Sequence, residues 1–391
     1  MAKGDVTPLT FTSEIDPVTH VRVVRLTPQN RIFHRNYFYQ KCFLQGGTQL
    51  LIGGVDQGNW NYWLLDIEHH TLRQLTEGGG DNSFDGFITE DDRALIFMRH
   101  NRQIVRVELD TLQEQVLYEL PAQWVSTSAW APDSSGRKMI GMSLSAQTWL
   151  PLNDWNDFQR QYHMNPTTRC EVIDLASGRS EVLFEEPRWL GHPSFRPNDT
   201  HSIMYCHEGP HDLIRNRIWL FDRQTEKAVP ISQAEDETFT HEFWVPDGSR
   251  IIFVSLNKKT HQRHICQTVA GRKRSEKVMA MPACSHLMSN HDGSLLVGDG
   301  CGTPVDLTDD GGYAAQTDPW LYLFEPGVQH TRKITRHDTS WRVIDGQCQA
   351  SHPHPSFSPD LRHVLYTSDR DGLPAVYLAD ISALLTGRSS S

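Results

Sequence analysis

Residues 244–254, WVPDGSRIIFV, contain an apolar strand end, a tight polar turn and a β-rich strand, which together are the pattern of a β-hairpin. The same pattern occurs seven times in the chain, at 43–54, 87–98, 130–142, 195–205, 244–254, 289–298 and 357–367. The aligned turn residues are 42 to 49 positions apart in four intervals, and 65 and 68 apart in the other two. Four-stranded units at this spacing are typical of the blades of a β-propeller.

The two ends of the chain complete the repeat. Each first hairpin is followed by a second, as in RIWLFDRQTEKAVPIS at 217–232, except in the last unit, where only ten residues follow 375–381. The segment HVRVVRLTP at 20–28 precedes the first unit and supplies the missing strand, which removes a free sheet edge. We therefore predict an all-β, seven-bladed propeller closed by an N-terminal strand, with an irregular β-sandwich as the alternative. The whole chain, 1–391, is expected to be one domain with tails at 1–19 and 382–391.

Composition and charge narrow the possible partners and compartment. The chain has 391 residues, 38% of them hydrophobic, and no apolar run that approaches the roughly 18 residues of a membrane span. Its net charge of −11 argues against a nucleic-acid partner, and its start lacks the apolar core of a signal peptide. Seven cysteines without a CxxC pair are typical of reduced thiols. We expect a cytoplasmic protein that binds neither nucleic acid nor membrane.

Histidine occupies one position of the repeat in four consecutive units. Six residues before the aligned turn residue stand His192, His241, His286 and His354, whereas Asp85 and Thr127 hold the same position in units two and three. Twenty of the 391 residues are histidine, so chance is a poor explanation. The position lies at the entry to the innermost strand, and innermost strands line the propeller axis, so we expect these side chains to converge at one height.

The last two units add ligands that suit a divalent metal ion. His352 is two residues before His354, a spacing that puts both side chains on one side of an extended segment, and Gln349 adds a neutral oxygen. Together with His286 they offer three imidazoles and an amide, which suits Mn²⁺, Fe²⁺, Ni²⁺ or Zn²⁺. The alternative is that the histidines only satisfy polar groups at a channel mouth.

Long loop insertions are expected on the face of the propeller that carries the repeated histidines. The segment YCHEGPHDLIRNR at 205–217 brings several polar side chains toward the metal, namely His207, Glu208, His211, Arg215 and Arg217. Binding and catalytic residues often lie on such loops, which a rigid fold holds in position. We interpret His192, His207 and His211, with Glu208, as candidates for ligand contacts or for support of the metal ligands; if the chain acts on a saccharide, as the resemblance described next implies, these contacts would be to the sugar.

The sequence resembles the oligogalacturonate lyases, cytoplasmic enzymes of pectin breakdown with a seven-bladed propeller fold. The resemblance rests on YCHEGPH (205–211), RIWLF (217–221), THEFWVPDG (240–248), CSHLMSNHDG (284–293) and QASHPHPSFSPD (349–360), and it spans the chain. It implies a Mn²⁺ ion held by His286, Gln349, His352 and His354, although other divalent first-row metals suit the same ligands.

The resemblance also implies a reaction. It suggests β-elimination of short oligogalacturonides, with His241 as the base that removes the C5 proton and Arg217 as a catalytic, substrate-binding arginine. Arg215, two residues earlier, is an alternative for that role, and the general acid is not identified. Two other functions remain open: a non-catalytic propeller that binds a partner through its rim, and a metal-dependent hydrolase or isomerase acting on another small acid. An ultraviolet-absorbing product distinguishes elimination from both.

Overall fold

The computed structural model describes residues 2–127, 129–152, 155–210, 213–269, 271–301 and 318–385. These residues form short antiparallel strands with little helix. The strands are β1 (Val6–Pro8), β2 (Thr12–Ile15), β3 (Arg22–Arg25), β4 (Phe33–Arg35), β5 (Gln49–Asp56), β6 (Asn59–Asp66), β7 (Thr71–Gln74), β8 (Phe87–Ile88), β9 (Ala94–Arg99), β10 (Gln103–Glu108), β11 (Glu114–Glu119), β12 (Trp124–Ser126), β13 (Ala131–Pro132), β14 (Lys138–Ser145), β15 (Thr168–Asp174), β16 (Ser180–Glu186), β17 (Leu190–Arg196), β18 (Asp199–His207), β19 (Ile218–Asp222), β20 (Lys227–Pro230), β21 (Glu237–Trp244), β22 (Arg250–Asn257), β23 (Arg263–Val269), β24 (Glu276–Met281), β25 (Cys284–Ser289), β26 (Leu296–Gly300), β27 (Trp320–Glu325), β28 (His330–Arg336), β29 (Ser356–Phe357), β30 (His363–Ser368) and β31 (Ala375–Asp380).

Among the described residues, three helical segments interrupt the strands. They are α1 (Trp155–His163), α2 (Ser382–Leu385) and a 3-10 turn at Pro326–Val328. Helix α1 lies in the long insertion at 145–168, which the hairpin pattern left without regular structure. None of the helices in the described ranges is long and apolar enough to cross a membrane.

Seven sheets account for the seven repeats, and the seven-bladed propeller predicted from the sequence is confirmed. Their spatial orders are β1-β7-β6-β5-β4, β11-β10-β9-β8, β12-β14-β15-β16 (with β13 also on β14), β17-β18-β19-β20, β21-β22-β23-β24, β25-β26-β27-β28 and β2-β3-β31-β30-β29. Most strands pair as antiparallel neighbours with the next strand in sequence, as the repeated hairpins require; the exceptions are the β1–β7, β3–β31 and β12–β14 pairs.

The N-terminal strand completes the last blade as predicted. β3 pairs antiparallel with β31, Val23 opposite Ala379 and Arg25 opposite Tyr377. The expected tail at 1–19 contributes two further strands: β2 extends the last blade outside β3, and β1 pairs with β7 of the first blade. Of the C-terminal tail, 382–385 form α2, and 386–391 lie outside the described residues.

The described residues group into two compact units. The first takes in 2–88, 109–112 and the described part of 283–385, and the second takes in 89–108 and the described part of 113–282. The organisation of the chain as a single domain stays a prediction. Each unit has apolar cores between neighbouring blades, such as Phe33, Trp63 and Leu365 in the first unit and Ile140, Leu190 and Tyr205 in the second. All seven cysteines are free.

Candidate functional site

Three of the histidines predicted to bind metal converge in the first unit. One ring nitrogen from each of His286, His352 and His354 lies within 4.8 Å of the others. The ring centroids of His286 and His354 are 4.2 Å apart, and that of His352 is 5.5 Å from His286. Nitrogen ligands sit about 2.1 Å from a first-row ion and therefore span about 4 Å across it. The cluster has the dimensions of a metal site.

His286 is held in one orientation by a buried aspartate. Asp299 is fully buried; its Oδ2 lies 2.8 Å from His286 Nδ1 and its Oδ1 accepts the His286 backbone N–H at 2.7 Å. Burial raises the pKa of Asp299, but the contacts with His286 outweigh burial and lower it below its usual value. An ionised Asp299 fixes the proton on Nδ1 and leaves the Nε2 lone pair for a metal ion, as second-shell carboxylates do.

His354 has a strained backbone that its neighbours stabilise. Its φ is 46°, in the left-handed region that non-glycine residues rarely adopt. Its N–H donates to Asp299 Oδ2 at 3.2 Å, and its C=O accepts from the buried Arg35 guanidinium at 2.6 Å. The extended HPHP segment expected from the sequence is therefore not extended at His354. Such strain persists only where the surrounding structure enforces it, and it often marks functional sites.

His352 and Gln349 bring polar atoms that lack hydrogen bonds. Among the described residues neither His352 Nδ1 nor Gln349 Oε1, both buried, has a partner. Burial is the main cause that lowers the pKa of His352 to about 3, and the neighbouring His286 contributes in the same direction, so the His352 imidazole is neutral at pH 7. Neutral imidazoles and an amide oxygen are the donors that a divalent ion needs. Buried polar atoms normally have partners, so these residues fit a metal ion.

Aromatic side chains surround the three histidines. The Trp341 ring centroid is 4.6 Å from that of His352, Tyr37 is 5.1 Å from His354, and Phe38 is 5.6 Å from His286. These rings keep water away from the cluster and lower its local dielectric, which strengthens charge interactions inside it.

Asp299, which the sequence analysis did not identify, is expected to strengthen metal binding through His286. Asp299→Asn replaces the charged acceptor of His286 Nδ1–H with a neutral one, and we expect the affinity for Mn²⁺ to fall about 10- to 100-fold. Calorimetric titration of chelator-treated protein with Mn²⁺ measures this. Asp292→Asn, the same change in the exposed turn between β25 and β26, is the control. Unchanged Mn²⁺ affinity in Asp299→Asn contradicts the assignment.

The other two histidines of the repeat lie in the second unit. His192 and His241 have φ values of 49° and 55°, and each sits in a β-bulge, between Gly191 and Ser194 or between Thr240 and Phe243. His286 occupies the equivalent bulge of its blade. The histidine position that repeats in the sequence therefore corresponds to a bulge that repeats in the structure. Bulges of this kind often redirect side chains at functional sites. His241 Nδ1 lies 3.0 Å from Thr240 Oγ1, a contact that sequence analysis did not identify.

Arg217 is buried between two carboxylates. Its Nε donates to Glu242 Oε2 at 3.0 Å, and its terminal nitrogens lie 2.9 and 3.5 Å from the two oxygens of Glu208. His192 Nε2 is 3.2 Å from the same Glu208. Burial raises the pKa of Glu208, but the charge of Arg217 outweighs it and holds the pKa far below its usual range. All three guanidinium nitrogens of Arg217 therefore already contact carboxylates of the protein. Binding of a substrate carboxylate by Arg217 stays a prediction.

His207 and Arg215 lie together on a cavity in the second unit. Arg188 Nη1 is 3.4 Å from His207 Nδ1, and burial, with the charges of Arg188 and Arg217, lowers the pKa of His207 to about 3. Arg215 is exposed at the rim of this cavity. His211 lies outside the described residues.

Two buried carboxylates of the site were not identified from the sequence. One of them has a recognisable signal there and the other has none. Asp299 is the one acidic residue in the otherwise apolar and glycine-containing stretch LLVGDG at 295–300, and a lone acidic residue in such a stretch is a usable signal of a buried function. Glu242 directly follows His241 and is 3% exposed, but nothing in the sequence distinguishes it from a solvated residue.

The comparisons with known proteins agree with this geometry. The model of the oligogalacturonate lyase family matches residues 1–384. An oligogalacturonide lyase of Pectobacterium atrosepticum is 47% identical, and an oligogalacturonate lyase of Dickeya dadantii is 46% identical; each alignment covers 97% of this chain and 98% of the relative.

Two solved structures are similar over nearly the whole chain. An oligogalacturonate lyase in complex with manganese superposes with a TM-score of 0.91 at 45% identity, and the match covers 97% of this chain and 98% of that one. The oligogalacturonate lyase of Vibrio parahaemolyticus superposes with a TM-score of 0.90 at 44% identity, over 97% and 99% of the two chains. The repeated histidines, the seven blades and these full-length similarities lead to one conclusion: this chain belongs to the oligogalacturonate lyase family.

Proposed function

We propose that this chain cleaves short oligogalacturonides, including digalacturonate and unsaturated digalacturonate, by metal-assisted β-elimination to unsaturated or keto-deoxy uronate monomers. The observation that carries the proposal is the convergence of His286, His352 and His354 in a member of this family. The relatives named as lyases of oligogalacturonate or oligogalacturonide support the substrate class.

The chemistry of the available donor atoms indicates which residues would hold the metal. We assign His286, His352 and His354 as imidazole ligands and Gln349 Oε1 as the fourth donor, and we propose Mn²⁺ because a similar structure contains manganese. A divalent ion at such a site supplies Lewis-acid chemistry, which neutralises a uronate carboxylate and stabilises the negative charge that develops beside it.

His241 is the proposed base for the C5 proton. When its Nδ1–H donates to Thr240 Oγ1, the lone pair of the ring is on Nε2, which is the atom that accepts the proton. The contact holds the orientation of the ring, and in this tautomer Nε2 is the basic nitrogen. The C5–H bond breaks, a C4–C5 double bond forms, and the C4–O bond to the leaving sugar breaks with protonation of that oxygen.

Chelation tests the proposal directly. We expect the protein to release an ultraviolet-absorbing unsaturated uronate from digalacturonate, to lose that activity after treatment with chelator, and to regain it with Mn²⁺. A continuous absorbance assay of the three samples measures this. New reducing ends without absorbance indicate a metal-dependent hydrolase, and binding without any product indicates a non-catalytic module; either result contradicts the proposal.

A further inference from the structure

Another group of metal donors, an imidazole, a thiol and a carboxylate, meets where β17 and β18 pair. One donor atom from each of His192, Cys206 and Glu208 lies within 4.8 Å of the other two. His192 sits in the bulge of β17, Cys206 is the last but one residue of β18, and Glu208 directly follows that strand. All three belong to the second unit, and the group shares no residue with the three-histidine cluster.

Two measured distances match the edges of a tetrahedral zinc site. His192 Nε2 lies 3.2 Å from Glu208 Oε2, and Cys206 Sγ lies 3.6 Å from the same oxygen. Zinc binds sulfur at about 2.3 Å and nitrogen or oxygen at about 2.0–2.1 Å. Around a tetrahedral ion, these bond lengths put nitrogen and oxygen about 3.3 Å apart, and sulfur and oxygen about 3.5 Å apart. Two of the three edges between the donors are therefore already in place.

Gly191 leaves the space that this arrangement needs. A Cβ at this position would lie 3.1 Å from Glu208 Oε2 and 3.4 Å from Cys206 Sγ, so a side chain would press on two of the three donor atoms. Cys206 and Glu208 are buried, whereas the His192 side chain is 23% exposed. An ion can therefore reach the group past His192, as a metal site requires.

The charges beside the group favour the uptake of a divalent cation. Glu208 and Glu242 both contact Arg217, so two buried carboxylates share one guanidinium and leave one negative charge. Burial raises the pKa of the Cys206 thiol well above its usual value, against the charge of Arg217 and with those of the two carboxylates, so the thiol keeps its proton until an ion displaces it. A divalent ion that displaces this proton adds one positive charge, which balances the remaining negative one.

We propose that His192, Cys206 and Glu208 bind a divalent ion of their own, for which Zn²⁺ is the best match, with a fourth position for water. A donor set that includes a thiolate is softer than the imidazole and amide donors of the three-histidine cluster, and it suits Zn²⁺ better than Mn²⁺. The ion ties Glu208, the carboxylate that holds Arg217, to the bulge of β17. The site does not depend on which reaction the chain catalyses.

Cobalt detects sulfur coordination through a signal that the donors assigned in the three-histidine cluster cannot produce. Co²⁺ bound to a thiolate gives a charge-transfer band in the near ultraviolet, and those donors contain no sulfur. We expect the band to grow as chelator-treated protein is titrated with Co²⁺, and to fade when Zn²⁺ displaces the cobalt. Cys206→Ser should abolish the band, whereas Cys266→Ser, the same change at a buried cysteine of β23 in the same unit, should retain it.

Two histidine variants test the ligands without changing a buried cysteine. His192→Ala removes one donor at a half-buried position, and the Co²⁺ affinity measured from the band should fall at least about tenfold, since even residues behind the ligands contribute about 10- to 100-fold. His201→Ala, at an exposed position of β18, should leave that affinity unchanged. His286→Ala, which disables the three-histidine cluster, should retain the band.

The results separate this site from the lyase. The proposal is overturned if no sulfur band forms at saturating Co²⁺, if the band persists in Cys206→Ser, or if it disappears in His286→Ala. Unchanged Co²⁺ affinity in His192→Ala overturns it as well, so the decision does not depend on the folding of Cys206→Ser. Failure of Mn²⁺ to restore an absorbing product from digalacturonate rejects the lyase and leaves the cobalt result standing.

Discussion

Replacing His354 by alanine is expected to remove the bound divalent ion and to reduce elimination to background. His354 is fully buried and its ring is 4.2 Å from that of His286, so its loss takes one of three imidazoles from the cluster. The remaining donors do not enclose an ion, and no cation then neutralises the substrate carboxylate. Metal analysis after dialysis and the absorbance assay on digalacturonate measure the two effects together.

The fold of this variant has to be checked, because His354 also anchors Arg35 and Asp299 through its backbone. These contacts use the main-chain atoms, which alanine retains, so thermal unfolding should show a folded protein. His352→Ala, at a half-buried position, provides a second variant with the same expected metal loss. His291→Ala, in the exposed turn after β25, should keep both metal and activity. Full metal occupancy in His354→Ala contradicts the ligand assignment.

Replacing His241 by alanine is expected to abolish turnover while the metal remains bound. A positioned general base contributes about 10²- to 10⁴-fold to the rate, and no second imidazole occupies this bulge. The substitution leaves the three histidines assigned to the metal unchanged. The combination of a full metal complement and a rate reduced by at least about 100-fold distinguishes a base from a ligand.

The matched control for this variant is His201→Ala, at an exposed position of β18 in the same unit. It removes an imidazole without touching a bulge and should leave kcat and KM unchanged. Retention of more than about a tenth of the rate in His241→Ala rejects its role as base. Loss of the metal in that variant would instead make His241 part of the metal site.

The arrangement of the blades could be predicted because it depends on a repeated local pattern. An apolar strand, a polar turn and a second strand specify a hairpin from neighbouring residues alone, and seven hairpins specify seven blades. The strand at 20–28 was predictable because the last unit lacked one. Helix α1 was not, since it lies in an insertion without a repeat to align with.

The histidines of the site could be predicted because they repeat along the sequence. The residues that contact these histidines could not, because they come from distant strands. The position shared by His192, His241, His286 and His354 was visible, but the left-handed backbone at three of them was not, because histidine is enriched in that region without being specific to it. Asp299 and Arg35 act on His354 through contacts that depend on the packing of three blades. A single sequence does not encode such contacts in any local pattern.

The pairing of β3 with β31 has a consequence for synthesis of the protein. Val23 leaves the ribosome long before its partner Ala379, since most of the seven blades lie between them in the sequence. Until β31 is synthesised, the edge of β3 that faces away from β2 has no partner strand, and such an edge is a site for wrong pairing or aggregation. Contacts between residues so distant in sequence also form slowly. Nascent chains that stop before β31 should need chaperone protection that the full-length chain no longer needs.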